Sequence, residues 1–324
     1  MSRLQTVETA TKGPRIGESA IRPDGIPKVK GEFVFSNDLR HPDMIWGGTL
    51  RSPHPSARIV SINTIPALKM AGVHAVLTGE DLNGMPLCGL EHPDQPVLAD
   101  GIVRYQGEPV AIVAADHPEN VRLALEAIDV EYELIEPLSD PKLAQENEAI
   151  HPDGNIFREI NLSYGNSQEE GEITVEGTYE VGMQDQAPLG TESGMAVPSE
   201  DGGIDLFVST QWLHADRDQV AACLNLPPEK VRLTLAGVGG AFGAREDISL
   251  HIHLCLLAMR TGKPIKMSYS RTESFHGHVH RHPAQMWYRH HAKSDGTLIR
   301  IEARLLLDGG AYASTSSAVL ANAT

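Results

Sequence analysis

The sequence predicts a mixed α/β protein of the α+β kind, divided into two domains. Three observations predict it. Short apolar runs of β type recur along the chain, punctuated by proline and glycine, with few helical stretches between them. At 324 residues the chain is long enough for two domains with substantial cores. A polar stretch over 138–170, rich in Pro, Glu, Asn and Gly, separates two regions of β pattern and places a boundary near residue 150.

Residues 1–20 are polar and read as a flexible N-terminal arm. Residues 44–50 read as a strand. The prolines Pro53 and Pro55 then break the chain into a turn before a second strand. His54, between those prolines and without a second ligand at metal spacing, reads as a turn residue. Val73–Leu77 is a short β run and Pro109–Ala115 a buried strand. Asp116-His117-Pro118 opens a helix whose apolar face is Val121, Ala124, Leu125 and Ile128. Strict alternation over 128–134 predicts a strand with one wet face. After the linker, β runs return at 173–181, 195–198 and 204–208, followed by a helix over 213–225. Residues 264–270 and 298–308 read as further strands.

Composition excludes several classes. Hydrophobic content of 41% with 22% charged residues is globular rather than disordered. A net charge of −16 without a basic stretch argues against nucleic acid and anionic membrane as partners. Cys88, Cys223 and Cys255 are too far apart for a C-x-x-C pair, so they read as free thiols of a cytoplasmic protein. The N-terminus has no apolar signal region, and no run approaches the roughly 18 apolar residues of a membrane span.

The most informative stretch is Gly237-Val238-Gly239-Gly240-Ala241-Phe242-Gly243-Ala244-Arg245-Glu246. A strand-like run, Val231–Leu235, enters it, and a helix-like run from about Glu246 to Arg260 leaves it. Such a layout offers backbone N–H groups to a negative or oxygen-rich partner, or else makes a tight turn. Phe242 is expected to pack on something, and Glu246 to sit at a helix start favoured by the dipole. The dinucleotide fingerprint fails because residue 242 is phenylalanine, and no Gly-Lys-Ser/Thr follows to make a phosphate loop. His276, His278, His280 and His282 recur at every second position, which would put all four on one strand face. With no flanking acid but Glu273 to complete a set, they read as structural.

Gly239–Glu246 closely resembles the G-G-x-F-G-x-[KR]-E loop of the molybdenum hydroxylases, the xanthine dehydrogenase and aldehyde oxidase family. Ser209-Thr210-Gln211 resembles that family's S-T-Q segment, and Asp308-Gly309-Gly310-Ala311-Tyr312 its D-x-G-A-Y turn. Arg51–Ile59 and Tyr105–Ala111 resemble R-S-P-x-x-x-A-R-I and Y-x-G-x-P-V-A of its small N-terminal domain. Arg281-His282-Pro283 is similar to the family's R-H-P stretch, where no metal is bound. One departure stands out. Where the family has Q-x-H-x-Y-L-E-P-E, this chain has Gln184–Glu192, and only the final Glu192 remains of the later acidic positions.

The resemblance implies an a/b hammerhead domain over 21–138, a linker over 139–165, and the first, truncated part of a molybdopterin-binding domain over 166–324. It implies a molybdenum–pterin cofactor, plain or in the cytosine dinucleotide form, and 2Fe-2S and FAD subunits as partners in a dimer of heteromers. Gly240, Phe242, Gly243 and Gln211 would bind the cofactor, with Gln211 bonded to an oxygen ligand of the metal. Glu246 would bind the substrate, and both Gln211 and Glu246 would act in catalysis. No residue of this chain would ligate the metal directly. Glutamate at 246 is characteristic of the purine-oxidising members, so the implied activity is hydroxylation of hypoxanthine and xanthine in purine catabolism. Related activities on aldehydes, nicotinate-like rings or carbon monoxide, or a non-catalytic relic, are the alternatives. The Q-G-x-G-E segment with the general base does not occur here, so this chain alone is expected to be inactive without the remaining C-terminal half.

Overall fold

The computed structural model describes residues 16–166 and 168–324; most of the expected N-terminal arm lies outside these. The chain divides into two units, Met1–Val34 and Phe35–Thr324. In the first, a short helix α1 (Gly25–Lys30) is closed by Gly31 in the left-handed conformation, and Lys28 pairs with Asp24 at 2.6 Å.

The second unit runs β1 (Ile45–Arg51), β2 (Ala57–Asn63), α2 (Ile65–Leu68), β3 (Val73–Thr78), β4 (Ile102–Val103), β5 (Pro109–Ala115), α3 (Pro118–Glu126), β6 (Asp129–Leu134) and α4 (Pro141–Ala144). It continues with β7 (Ile173–Val181), β8 (Ser193–Pro198), β9 (Ile204–Val208), α5 (Leu213–Leu224), β10 (Val231–Leu235), α6 (His251–Thr261), β11 (Ile265–Ser268), α7 (Arg271–Gly277), β12 (Ala284–Ala292), β13 (Leu298–Leu307) and α8 (Ser316–Ala323). The helix expected after Asp116 is capped by His117, whose Nδ1 accepts from the Glu119 N–H at 3.1 Å. Asp116 instead accepts from Asn120.

Among the described residues, three sheets result. The largest has the order β10-β9-β8-β11-β1-β5-β3, with β1–β11 and β9–β10 parallel and the other pairs antiparallel. Sheets β13-β12-β7 and β4-β2-β6 complete the fold. Strand β5 shows why the large sheet is stable. All seven of its residues are buried, as a continuous apolar run requires when both faces are covered. Ile112 and Ala114 join the core that contains Leu254 and Leu257 of α6, while Ala111 and Val113 join the core that contains Ala124 of α3. Neighbouring β1 admits both helices through Gly47 and Gly48. A Cβ on Gly47 would lie 2.9 Å from Leu257 Cδ1, and one on Gly48 2.5 Å from Val121 Cγ1.

The sheet is also tied to the segment before β1 by a buried cation. Lys266 on β11 donates from Nζ to the carbonyls of Ser36, Asn37 and Leu39 at 2.9, 2.9 and 3.2 Å. Burial pulls its pKa down to about 8. Strands β8 to β11 thus hold one side of the loop between β10 and α6.

Candidate functional site

The 236–250 segment leaves β10 and becomes helical only at His251, not near Glu246 as the sequence suggested. The backbone explains the delay. Phe242 (φ +53°) and Gly243 (φ +93°) are left-handed, and Leu250 rather than a polar capping residue precedes the helix. Glu246 therefore sits in the loop, and a helix dipole does not account for it.

The loop is anchored from below. The Gly190 N–H donates to the Gly239 carbonyl at 3.0 Å, and the two backbones touch: a Cβ on Gly239 would lie 3.0 Å from Gly190 Cα. Arg245 turns inward. Its Nη1 donates to Glu192 Oε1 at 2.6 Å and its Nη2 to the Gly190 carbonyl at 2.6 Å. Both side chains are fully covered, at 4% and 1% exposure, so the pair is desolvated. Burial lowers the Arg245 pKa, against the opposing pull of Glu192. Further in, burial raises Asp216 to about 6, and burial with the Arg245 charge lowers His251 to about 3.

The outward side carries the predicted site residues. Gln211 donates its backbone N–H to the Arg245 carbonyl at 3.1 Å and its side-chain Nε2 to Glu246 Oε1 at 3.4 Å. Gln211 does not cap α5, where Trp212 holds that position without a side-chain bond. Phe242 is 78% exposed, contrary to the expectation that it is packed. Its Cε2 lies 3.6 Å from where a Cβ on Gly240 would stand. The loop spends its left-handed residues on presenting this ring rather than on burying it. The N–H groups of Gly240, Ala241, Phe242 and Gly243 have no acceptor among the described residues. The structure thus brings Gln211 and Glu246 together beside the Gly240–Gly243 backbone.

A neutral amide, open backbone N–H groups and an exposed ring suit an oxygen-rich, anionic group better than a bare cation. That chemistry fits a pterin cofactor. Glu246 adds a carboxylate acceptor to the same face.

Two features escaped sequence reasoning. The Arg245–Glu192 pair joins residues far apart in sequence; its one signal was that Glu192 persists where its neighbours depart from the family pattern. The histidine run is not a strand. His276 lies in α7, and His282 bonds Ser316 Oγ at 2.8 Å. His278 and His280 converge on Asp185 of the β7–β8 loop, an acid that no spacing within 276–282 could indicate.

Comparisons with known proteins identify the family and the fold. The molybdopterin cofactor-binding domain profile matches residues 150–324, and the aldehyde oxidase and xanthine dehydrogenase a/b hammerhead profile matches 30–136. The chain is 39% identical over 307 residues to a probable xanthine dehydrogenase component of Bacillus subtilis, covering 93% of this chain and 41% of that relative. It is 37% identical over 314 residues to the nicotinate dehydrogenase large molybdopterin subunit of Eubacterium barkeri, covering 95% and 74%. The solved aldehyde oxidoreductase of Desulfovibrio gigas superposes with a TM-score of 0.84 at 27% identity, over 89% of this chain and 34% of that one. The chain thus spans about two fifths of the Bacillus relative and three quarters of the Eubacterium one.

Proposed function

The chain belongs to the molybdopterin-binding aldehyde oxidase and xanthine dehydrogenase family, and on that premise we propose that it is part of the molybdenum subunit of a xanthine-oxidising hydroxylase. The observation that carries this reading is the convergence of the Gln211 amide and the Glu246 carboxylate at 3.4 Å beside the Gly240–Gly243 backbone.

When bound, the molybdenum–pterin cofactor supplies two-electron oxidation of an electron-poor ring carbon, with water as the oxygen source. This chain's residues do the holding and polarising. The open N–H groups of Gly240–Gly243 and the Gln211 amide orient the cofactor's oxygen atoms. Phe242 shields the approach from water. Glu246 accepts a hydrogen bond from a ring N–H of the purine and so fixes which carbon faces the centre. The general base comes from outside the 324 residues. The two-domain division near residue 150, the cytoplasmic location, and the 2Fe-2S and FAD partner subunits belong to the same proposal.

The test is a substrate panel on the assembled enzyme. Glu246→Ala is expected to lower kcat/KM for xanthine by about 100-fold or more, the scale of losing one aligned polar contact in the transition state. Oxidation of aldehydes but not purines by the unmodified enzyme would sink the assignment of Glu246. A second reading, hydroxylation of a nicotinate-like ring, is favoured by the Eubacterium relative, of whose length this chain covers 74%. Nicotinate turnover exceeding xanthine turnover in the same panel would establish it instead.

A further inference from the structure

We propose that Asp185, His278 and His280 form a site for one divalent transition-metal ion, foremost Zn²⁺, which clamps the β7–β8 loop to the segment between α7 and β12. The proposal is independent of the molybdenum reading.

The three ligand atoms lie within 4.8 Å of one another. Asp185 Oδ2 is 3.1 Å from His278 Nε2 and 3.0 Å from His280 Nε2. A tetrahedral ion with bonds of about 2.0–2.1 Å needs ligand separations of about 3.3 Å, so the two Asp185–histidine distances need open only slightly to admit it. The site is well covered: the side chains of His278, His280 and Asp185 are 1%, 17% and 13% exposed. All three ligand atoms are buried without a hydrogen-bond partner among the described residues.

Protonation makes the arrangement informative. His278 Nδ1 lies 2.8 Å from the Val279 carbonyl. A carbonyl only accepts, so Nδ1 carries a proton, and Nε2 is the nitrogen left to ligate a metal ion. Nε2 faces a carboxylate oxygen of Asp185, which only accepts. At 3.1 Å that oxygen is satisfied either by a proton on Nε2 or by a metal ion held between the two. A histidine whose far nitrogen donates to a backbone carbonyl is the usual support for a metal ligand. The carboxylate is oriented too, because Asp185 Oδ1 accepts the Ala187 N–H at 2.5 Å and leaves Oδ2 for the imidazoles. The rings stack at 5.0 Å with 21° between planes, bringing both Nε2 atoms to the same carboxylate oxygen.

The two segments are already paired, since the Arg281 N–H donates to the Gln184 carbonyl at 3.0 Å. Little chain ordering remains for the ion to cost. Two nitrogens and one oxygen suit zinc among the available divalent ions, with a fourth position left for water. Glu192 Oε1, held by Arg245, is 3.9 Å from His278 Nε2 and so links the clamp to the anchor of the glycine loop.

The experiment uses the full-length protein with its associated subunits, stripped with a chelator and titrated with zinc chloride, with metal counted by mass spectrometry. Stoichiometric zinc is expected, additional to any molybdenum. Asp185→Asn and His278→Ala, with folding checked by circular dichroism, are expected to weaken zinc binding by at least about 100-fold. Equal zinc retention by the unmodified protein and folded variants would overturn the proposal, as would a stripped protein that takes up no zinc. The second outcome would leave a proton as the cation shared with Asp185. Should the variants fail to fold, cobalt(II) titration of the unmodified protein decides. The intense visible bands of a four-coordinate nitrogen and oxygen site support the proposal, and their absence overturns it.

Discussion

Arg245 and Glu246 are adjacent residues of one loop, yet they live in opposite surroundings. Arg245 points inward, with its hydrogen bonds made to Glu192 and the Gly190 carbonyl in a desolvated pocket. The Glu246 side chain instead faces Gln211, whose amide makes one long hydrogen bond to it, beside the exposed Phe242. The difference teaches that the loop separates its duties. Its inner side holds a shape, and its outer side keeps donors, an acceptor and a ring unspent for something else. Stability and function should therefore come apart by residue, in a way that substitutions can measure.

The sharpest break is Arg245→Leu. It leaves the Glu192 carboxylate buried without its guanidinium partner, so urea unfolding should show a loss of about 3–5 kcal/mol. A double variant with Glu192→Met should recover most of that loss. If the single variant is neutral, the inner side is not the anchor.

A pH experiment probes how tightly the inner side is closed to protons. His253 on α6 donates from Nε2 to the Val97 carbonyl at 3.0 Å, and burial lowers its pKa from 6.5 to about 4. The unfolded chain takes up this proton near pH 6.5 while the folded chain resists until about 4. Stability from His253 is thus present above 6.5 and lost as the pH falls toward 4. His253→Gln is expected to be less stable than the unmodified protein at about pH 7. The gap should narrow by up to about 3 kcal/mol by about pH 4, read from urea midpoints. A constant gap would mean that the histidine is already solvated.

Gly239→Ala should cost about 1–3 kcal/mol, because the new methyl meets Gly190 backbone rather than a side chain that can swing away. On the outer side, Phe242→Ala and Gln211→Ala should change stability by no more than about 0.5 kcal/mol. Both should nevertheless reduce the molybdenum and pterin recovered with the assembled protein. A large stability loss in either would erase the contrast between the two sides.

Much of this was legible in the sequence. The continuous apolar run Pro109–Ala115 and the alternation over 128–134 each predict their strand, because burial on two faces or one leaves that period in the residues. The glycine loop and Gln211 were legible as a motif, since a backbone that must turn left-handed leaves glycines at fixed spacing. What stayed hidden was pairing at a distance. Nothing in Ile45–Arg51 announces a parallel neighbour more than two hundred residues on, yet β1 joins β11 and makes one sheet from both halves of the chain. Nothing in the histidine run names Asp185, and nothing beside Arg245 names Glu192. Local period and turn chemistry are written in neighbouring residues, so the sequence by itself determined most strands, helices α3, α5 and α6, and the loop's identity. Which buried charge meets which, and whether Phe242 is covered, depends on how distant segments pack, and only the tertiary structure decided that.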